Sequence, residues 1–440
     1  VTSLADPSAQ PARLPAPRRA APALTVRTAP ARLRLVLIAL VATSAAWGAV
    51  AAWTVGLHAS AASGVAVTSE PLSVDAQQVY RALSDADATA ATAFLSGGLE
   101  PLAARQRYLA DIARAATSLA AATGTAGQFP ARSRLATLSQ ELPVYTGLVE
   151  TARADNRLGL PVGAAYLRQA SGLMRATLLP AARNVYVQAN DQLAADDGRA
   201  AGWPFVALAA VIVVALALIT AQRWLARRSH RVLNRGLVLA SLAGLASVVW
   251  LLAALISVRA QVLDARDHGS APVEALARAE IAALQARGDE GLTLIDRGGD
   301  DQFQQDFLAV QRRLGPGAGT LLTAAASAAR GSPGAGPAAA AASDAPTWFA
   351  AHRQVRRLDD GGSYDLAVAA AIGSGADGTL FARLDTHLTS AIGKDQAAFR
   401  AAIGSARGAF TGLEAGMIVL SLVMAGGCGW GLAQRIAEYR

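Results

Sequence analysis

Four stretches of this chain carry almost no charge: residues 35–57, 203–220, 236–256 and 412–434. As helices, each is long enough to cross a hydrocarbon core about 30 Å thick. Between the first two, apolar positions recur every three or four residues. They fall at Val79, Leu83, Ala86, Ala90 and Phe94, at Tyr108, Ile112, Ala115 and Leu119, at Leu135, Leu138, Leu142, Tyr145 and Leu148, and at Leu167, Ala170, Met174 and Leu178. That spacing predicts four amphipathic helices. Breakers separate them, at residues 97–101, 123–130 and 158–163. No sustained alternation of β-branched residues predicts a strand, so the expected fold class is all-α, with four transmembrane helices and two extracytoplasmic helical bundles in tandem.

Helix lengths refine the picture. Outside the membrane the first and fourth helices of this set run about 40 residues, or ~60 Å. The second and third are shorter. An up-down-up-down bundle on a two-helix stalk accommodates them, with the turns at 97–101 and 158–163 at the membrane-distal tip. Pro180 should kink the fourth helix. The pattern then repeats. A third span continues as a polar helix through Arg278, Leu284 and Leu294 to a break at Gly298 and Gly299. A helix over 303–329 follows, then a flexible Gly/Pro/Ala loop at 331–346, a short helix over 347–358, and a long helix entering the membrane near Gly412. Leu35, Trp47, Ala82, Leu83, Thr92, Gly97 and Gly98 match Leu237, Trp250, Ala283, Leu284, Thr293, Gly298 and Gly299 at a nearly constant offset. An internal duplication is expected.

The resulting boundaries are a disordered cytoplasmic tail over 1–34, a first span over 35–57, a four-helix bundle over 58–201, and a second span over 202–221. A basic turn over 222–235 follows, then a third span over 236–257, a second helical bundle over 258–411, a fourth span over 412–434 and a tail over 435–440. A signal peptide is the competing reading of the first span. Its length exceeds a usual apolar signal core and no clear Ala-x-Ala site follows it, so an uncleaved helix is expected.

Hydrophobic residues make up 53% of the chain, which favours a membrane protein, while a formal charge of +8 invites a nucleic-acid partner. The distribution of charge removes that class. Residues 1–34 hold six arginines and Asp6, residues 222–235 hold five arginines, and residues 435–440 hold two arginines and Glu438. The remainder is net acidic. The arginines therefore mark a cytoplasmic side, with both termini on it, in a multi-pass plasma-membrane protein, and attract anionic membrane lipid.

The sequence offers little chemistry. Cys428 stands alone, and the histidines at 58, 230, 268, 352 and 387 are scattered, so no metal or cofactor is expected. The glycines at 315–319 follow no strand and fit no phosphate loop. The pairs Asp85/Asp87 and Asp359/Asp360 read as solvated helix faces and caps. The cytoplasmic pieces are too short for a catalytic domain, and a non-enzyme is expected. The spans hold no ionisable group at mid-depth, against a transporter. Gly426, Gly427, Ser241, Gly244 and Ala246 suit close helix packing. Two candidate sites remain. Arg153, Asn156 and Arg157 approach the distal tip, where a partner or small anion could dock, or where an ordinary helix end is solvated. Arg223, Arg227, Arg228, Arg231 and Arg235 could dock a soluble cytoplasmic partner, or serve topology alone.

The plan of long stalk helices and short bundle helices resembles the sensor modules of chemoreceptors and sensor kinases. The four spans, the two ectodomains, the turn Arg-Arg-Ser-His-Arg-Val-Leu-Asn-Arg-Gly before the third span, and the stretches Ala-Phe-Leu-Ser-Gly-Gly-Leu-Glu-Pro and Asn-Arg-Leu-Gly-Leu-Pro-Val-Gly-Ala-Ala-Tyr-Leu-Arg resemble the actinobacterial GlnX-type transmembrane signal transducers. That resemblance implies a protein linking an extracytoplasmic amino-acid-binding (solute-binding) protein to a cytoplasmic Ser/Thr protein kinase. It carries over no site residue. The expectation is a non-enzymatic transducer, with a homodimer as a plausible assembly. The alternative is a structural or accessory subunit of a membrane transport or envelope complex.

Overall fold

A computed structural model describes residues 29–125, 131–229, 234–297, 301–408 and 410–437. Among them there is no strand. Fifteen α-helices follow in order: α1 (Ala29–Gly64), α2 (Glu70–Phe94), α3 (Leu102–Thr125), α4 (Arg132–Arg157), α5 (Val162–Leu173), α6 (Leu179–Ala200), α7 (Phe205–Ser229), α8 (Arg235–Ala265), α9 (Ala271–Asp296), α10 (Gln302–Leu314), α11 (Leu321–Ala328), α12 (Ala335–Asp360), α13 (Tyr364–Ala371), α14 (Ala376–Gly408) and α15 (Leu413–Ala437). Four helices are long and apolar enough to cross a membrane, with their apolar stretches in α1, α7, α8 and α15. The chain divides into two compact units. One comprises Val1–Val50, Val206–Val248 and Met417–Arg440, the other Ala51–Phe205 and Val249–Gly416.

In the first unit small residues let backbones approach. A Cβ on Gly236 would collide with the backbone of Gly427 and Gly431, and one on Gly244 would press on Met424. Gly427 thus packs as expected, whereas Gly426 faces open space. The Trp47 indole N–H donates to Ser247 Oγ at 2.9 Å, and Asn234 Nδ2 donates to the Gly431 carbonyl at 2.7 Å. These bonds satisfy polar groups that hydrocarbon would leave unpaired. Ile38, Ile212, Leu242, Leu245 and Leu422 point outward and exposed, as lipid-facing positions do.

The second unit is built around α2 and α9. Residues 82–91 of α2 and 286–292 of α9 are buried all round. Helix α2 packs against α3, α6 and α9, and α9 packs against α10, α11 and α14 as well. The two run parallel and nearly in register: Arg81 meets Glu280 toward one end and Ala91 meets Gly291 toward the other. One apolar core therefore runs through both halves, from Leu83, Tyr145 and Met174 to Leu284, Phe307, Trp348 and Leu388.

Three prolines explain three irregular turns. Pro71, Pro180 and Pro272 stand at the starts of α2, α6 and α9, each just after a five-residue π-helical turn: Val65–Ser69, Met174–Leu178 and Arg266–Ser270. A proline within a helix lacks the N–H, and its ring crowds the carbonyl four residues back. A widened turn relieves both. The distortion expected at Pro180 takes this form. The first and third turns, and Pro71 and Pro272, repeat at the same 201-residue offset as Ala82 and Ala283.

Several expectations need correction. Residues 331–346 are not a flexible loop: from Ala335 onward they form the first half of α12. Alanine is the best helix former, Pro337 falls in the first turn where proline is tolerated, and Ala338, Ala341 and Ala345 are buried at helical spacing. Asp395 of α14 pins the start of α12, accepting from the Gly334 N–H at 2.6 Å and from Ser332 Oγ at 3.0 Å. The helix expected over 303–329 is split into α10 and α11 by glycines whose positive φ, at Gly317 and Gly319, ends helical geometry. Gly412, at φ +77°, separates α14 from α15. Helix α1 already starts at Ala29, inside the stretch assigned to the tail. Residues 1–28 of that tail, the end of the second breaker, and Gly298 and Gly299 lie outside the described residues.

Candidate functional site

The seam between α2 and α9 is charged. Arg81 Nε donates to Glu280 Oε1 at 2.8 Å, and its Nη2 donates to Thr389 Oγ1 of α14 at 3.1 Å. Arg107 of α3 reaches both Asp85 Oδ1 and Asp385 Oδ2 at 2.8 Å. The fold thus joins α2 and α3 of the first half to α9 and α14 of the second through two guanidiniums and three carboxylates. Burial pushes the Glu280 carboxyl up, with Arg81 pulling it back. Burial and then the neighbouring Asp85 push Asp385 up. A pair this buried contributes little net stability while intact, but losing one partner strands a charge.

Further along the seam, a cavity of about 560 Å³ opens between α2, α6, α9 and α10. Arg175, in the π-helical turn before α6, is its bridge. It hydrogen-bonds Asp289 and lies 3.9 Å from both Asp87 and Asp306, with Phe303 against its guanidinium. Ser171 Oγ donates to Asp87 Oδ1 at 2.8 Å. Burial raises Asp87, and pushes Asp289 up to about 7, against the pull of Arg175 in each case. Arg183 and Arg313 stand exposed on the lining. Helix spacing alone does not reveal this cluster, because its members come from both halves. Asp85 and Asp87 were expected on solvated faces; both are buried, and each faces an arginine from another helix. Charges embedded in the alanine-rich run 82–91 were the available signal, since an alanine helix face with no large apolar residues buries only by close packing.

A second polar cluster lies inside the second half. Arg287 pairs with Glu290 and with Asp377, and donates to the Ala371 carbonyl. His352 Nδ1 lies 2.6 Å from Glu290 Oε1, and its ring stacks on Phe307 with centroids 3.5 Å apart. Burial, with Glu290 next to it, raises Asp377 to about 9, and burial lowers His352 to about 4. The histidines looked scattered along the chain, yet His352 meets Glu290 and His387 meets Asp344 through the fold. No group of three or more candidate metal ligands occurs among the described residues.

The residues singled out from sequence are placed as follows. Arg153 is half-buried, bound to Glu100 and, at 3.0 Å, to Glu150. Asn156 Nδ2 donates to the Phe94 carbonyl at 2.9 Å, closing the end of α2 onto α4. Both hold the turn together. Arg157 is exposed in the last turn of α4. Leu99, Leu102 and Leu158, on the adjoining turns, are strongly exposed. Arg223 and Arg227 are exposed one turn apart near the end of α7, and Arg235 is exposed at the start of α8. The Arg228 side chain and Arg231 lie outside the described residues.

By fold this is an all-helical, multi-pass membrane protein whose larger unit is a helical assembly with a charged seam. Residues 61–198 match the family model of the actinobacterial sensor domain, a stretch running from the end of α1 to the end of α6. The match suggests a sensing or signalling role and a non-catalytic one. No curated protein and no solved structure is significantly similar to the chain.

Proposed function

We propose that this protein is a non-enzymatic transmembrane signal transducer. It passes the state of an extracytoplasmic solute-binding protein or ligand to a cytoplasmic partner such as a Ser/Thr protein kinase. The observation that carries this reading is the sensor-family match over residues 61–198, a bundle set between two apolar helices. Positive-inside charge puts residues 222–235 in the cytoplasm and the larger unit outside. The tip that Arg153 and Asn156 close, with Arg157 and the leucines exposed on it, receives the outer partner. The arginines at 223, 227, 228, 231 and 235 receive the inner one. A transducer needs two states that its ligands contact differently, and a seam of arginines shared between carboxylates of two halves offers alternative pairings for that purpose.

The test is affinity purification from detergent-solubilised membranes, comparing wild type with Arg227→Ala/Arg228→Ala/Arg231→Ala after its topology is verified. A kinase retained by wild type and lost by the variant supports the proposal. Recovery of membrane subunits alone, with no soluble cytoplasmic protein, overturns it in favour of an accessory subunit.

A further inference from the structure

Where α2 and α9 begin, beside their π-helical turns, lies a smaller cavity of about 130 Å³. Asp197 of α6 lines it. This carboxylate is 3% exposed, its Oδ1 is buried, and among the described residues it has neither a hydrogen bond nor an ion pair. Its neighbour Asp196 behaves differently, accepting hydrogen bonds from Ser69 and Gln192 and pairing with Arg199. An ionised carboxylate buried without a partner is costly, and proteins keep such groups paired or bound to a cation.

The rest of the lining says what kind of cation. Glu70 and Glu274, from the first turns of α2 and α9, are occupied: Glu70 lies 3.9 Å from Arg400, and Glu274 pairs with Arg278. Burial pushes the Asp197 carboxyl up to about 6, and the one basic lining residue, the exposed Arg266, pulls it back without reaching ion-pair distance. Asp197 is therefore the lining carboxylate that has no ion pair among the described residues. A metal ion would want three or more hard ligands close together, and no such group occurs among the described residues. The apolar wall, which includes Phe399 and Leu193, would be wasted on a bare ion but suits a hydrocarbon body. The volume equals that of about four waters at ~30 Å³ each, enough for a short chain.

We propose that this cavity binds a small organic ammonium ion, its charged head on Asp197 and its hydrocarbon against Phe399 and Leu193. The site goes beyond the transducer reading and stands or falls separately from it, because no partner protein enters the argument. Its place gives it a consequence. Arg266 and Ser270 of one π-helical turn line the cavity, and Glu70 directly follows the other. Such turns are frequent at functional sites, and occupancy would bear on both helices where they leave those turns.

The experiment uses the purified full-length protein in detergent at pH 7.5, with n-propylammonium chloride as probe. Melting temperature is followed against sodium chloride at equal ionic strength, n-propanol and sodium propionate. The expected result is a saturable rise with propylammonium alone, as a ligand of the native state produces, and its loss in Asp197→Asn. That variant should itself melt higher than unliganded wild type, since it removes an unpaired buried charge. A propylammonium effect no larger than that of sodium chloride, an equal effect of propanol or propionate, or an undiminished effect in Asp197→Asn would each overturn the proposal. The specificity series in wild type reads the answer even where the variant folds poorly.

Discussion

The two halves of the larger unit share a plan and differ in what they bury. Each begins with a π-helical turn, a proline and a central helix. The first half then fills its core with Leu83, Leu135, Leu138, Leu167, Met174 and Tyr145, and its buried Asp85 and Asp87 face arginines at the seam. The second places Arg287, Glu290, Asp377 and His352 among Phe307, Trp348 and Phe381. At the 201-residue offset Arg287 corresponds to Ala86 and Glu290 to Thr89. One scaffold thus holds its buried charges at the seam in one half and gathers them inside the core in the other. Architecture follows from helix lengths and prolines, while ionisable interiors are a local addition to them.

The sharpest way to break that comparison is Arg287→Met. It leaves Glu290 in the core without its arginine and should cost ~3–5 kcal/mol. For a domain of this size the melting temperature should drop by on the order of 10 °C. Ala86→Met at the matching position adds volume without stranding a charge, and should cost less, about 1–3 kcal/mol. Thermal unfolding followed by circular dichroism measures both. A smaller loss at Arg287 than at Ala86 would mean that the ionisable core is not a structural centre.

pH separates the halves next. Asp377 is raised from 3.8 to about 9, so the native state holds a proton that the unfolded chain releases. Its contribution is full below pH 3.8 and is lost as pH rises toward 9. His352, lowered from 6.5 to about 4, acts in the opposite sense: its contribution is present above 6.5 and is lost as pH falls toward 4. The two offset one another between pH 4 and 6.5, and Asp377 is left to act above that. Wild type should therefore lose stability between pH 7 and 9, and Asp377→Asn should lose less. Parallel melting curves across that window would show that Asp377 is already ionised.

The seam is tested by a double-mutant cycle on Arg81→Met and Glu280→Gln, which join the halves at 2.8 Å. Contacting groups of this kind couple by about 0.5–3 kcal/mol. A coupling near zero in chemical denaturation would mean that the halves are held by apolar packing alone.

Much of this was legible in the sequence. The four apolar runs and the 3–4 spacing marked α1 to α8 and α15 because burial in lipid or along one helix face leaves a periodic trace. Residues 331–346 misled because Gly and Pro punctuate their start, while the alanine run behind them buries a face too small to register as apolar. The charged seam was hidden for a different reason. Arg107 and Asp85, on neighbouring helices of one half, meet Asp385 only when the halves pack, and no local spacing records a contact made at that separation. The tip residues were found for their polarity, which for Arg153 and Asn156 is spent on closing a turn.

The finest distinction concerns two glycines one turn apart on α9, both facing α2. A Cβ on Gly288 would sit 3.6 Å from the Arg175 guanidinium and 3.7 Å from Ala88 Cα, which is ordinary contact. A Cβ on Gly291 would sit 3.0 Å from Ala91 Cβ and 3.3 Å from the Ala91 backbone, where one of the helices must yield. Gly288→Ala should therefore stabilise the protein by about 0.5–1 kcal/mol, because alanine loses less entropy in a helix. Gly291→Ala makes the same local gain but drives α2 from α9, so its net effect should be a loss. Melting temperatures of the two single variants decide the matter. Opposite signs place the closest approach of the halves at Gly291, whereas a gain at both would mean that α2 and α9 have room to separate, as a seam of exchangeable ion pairs requires.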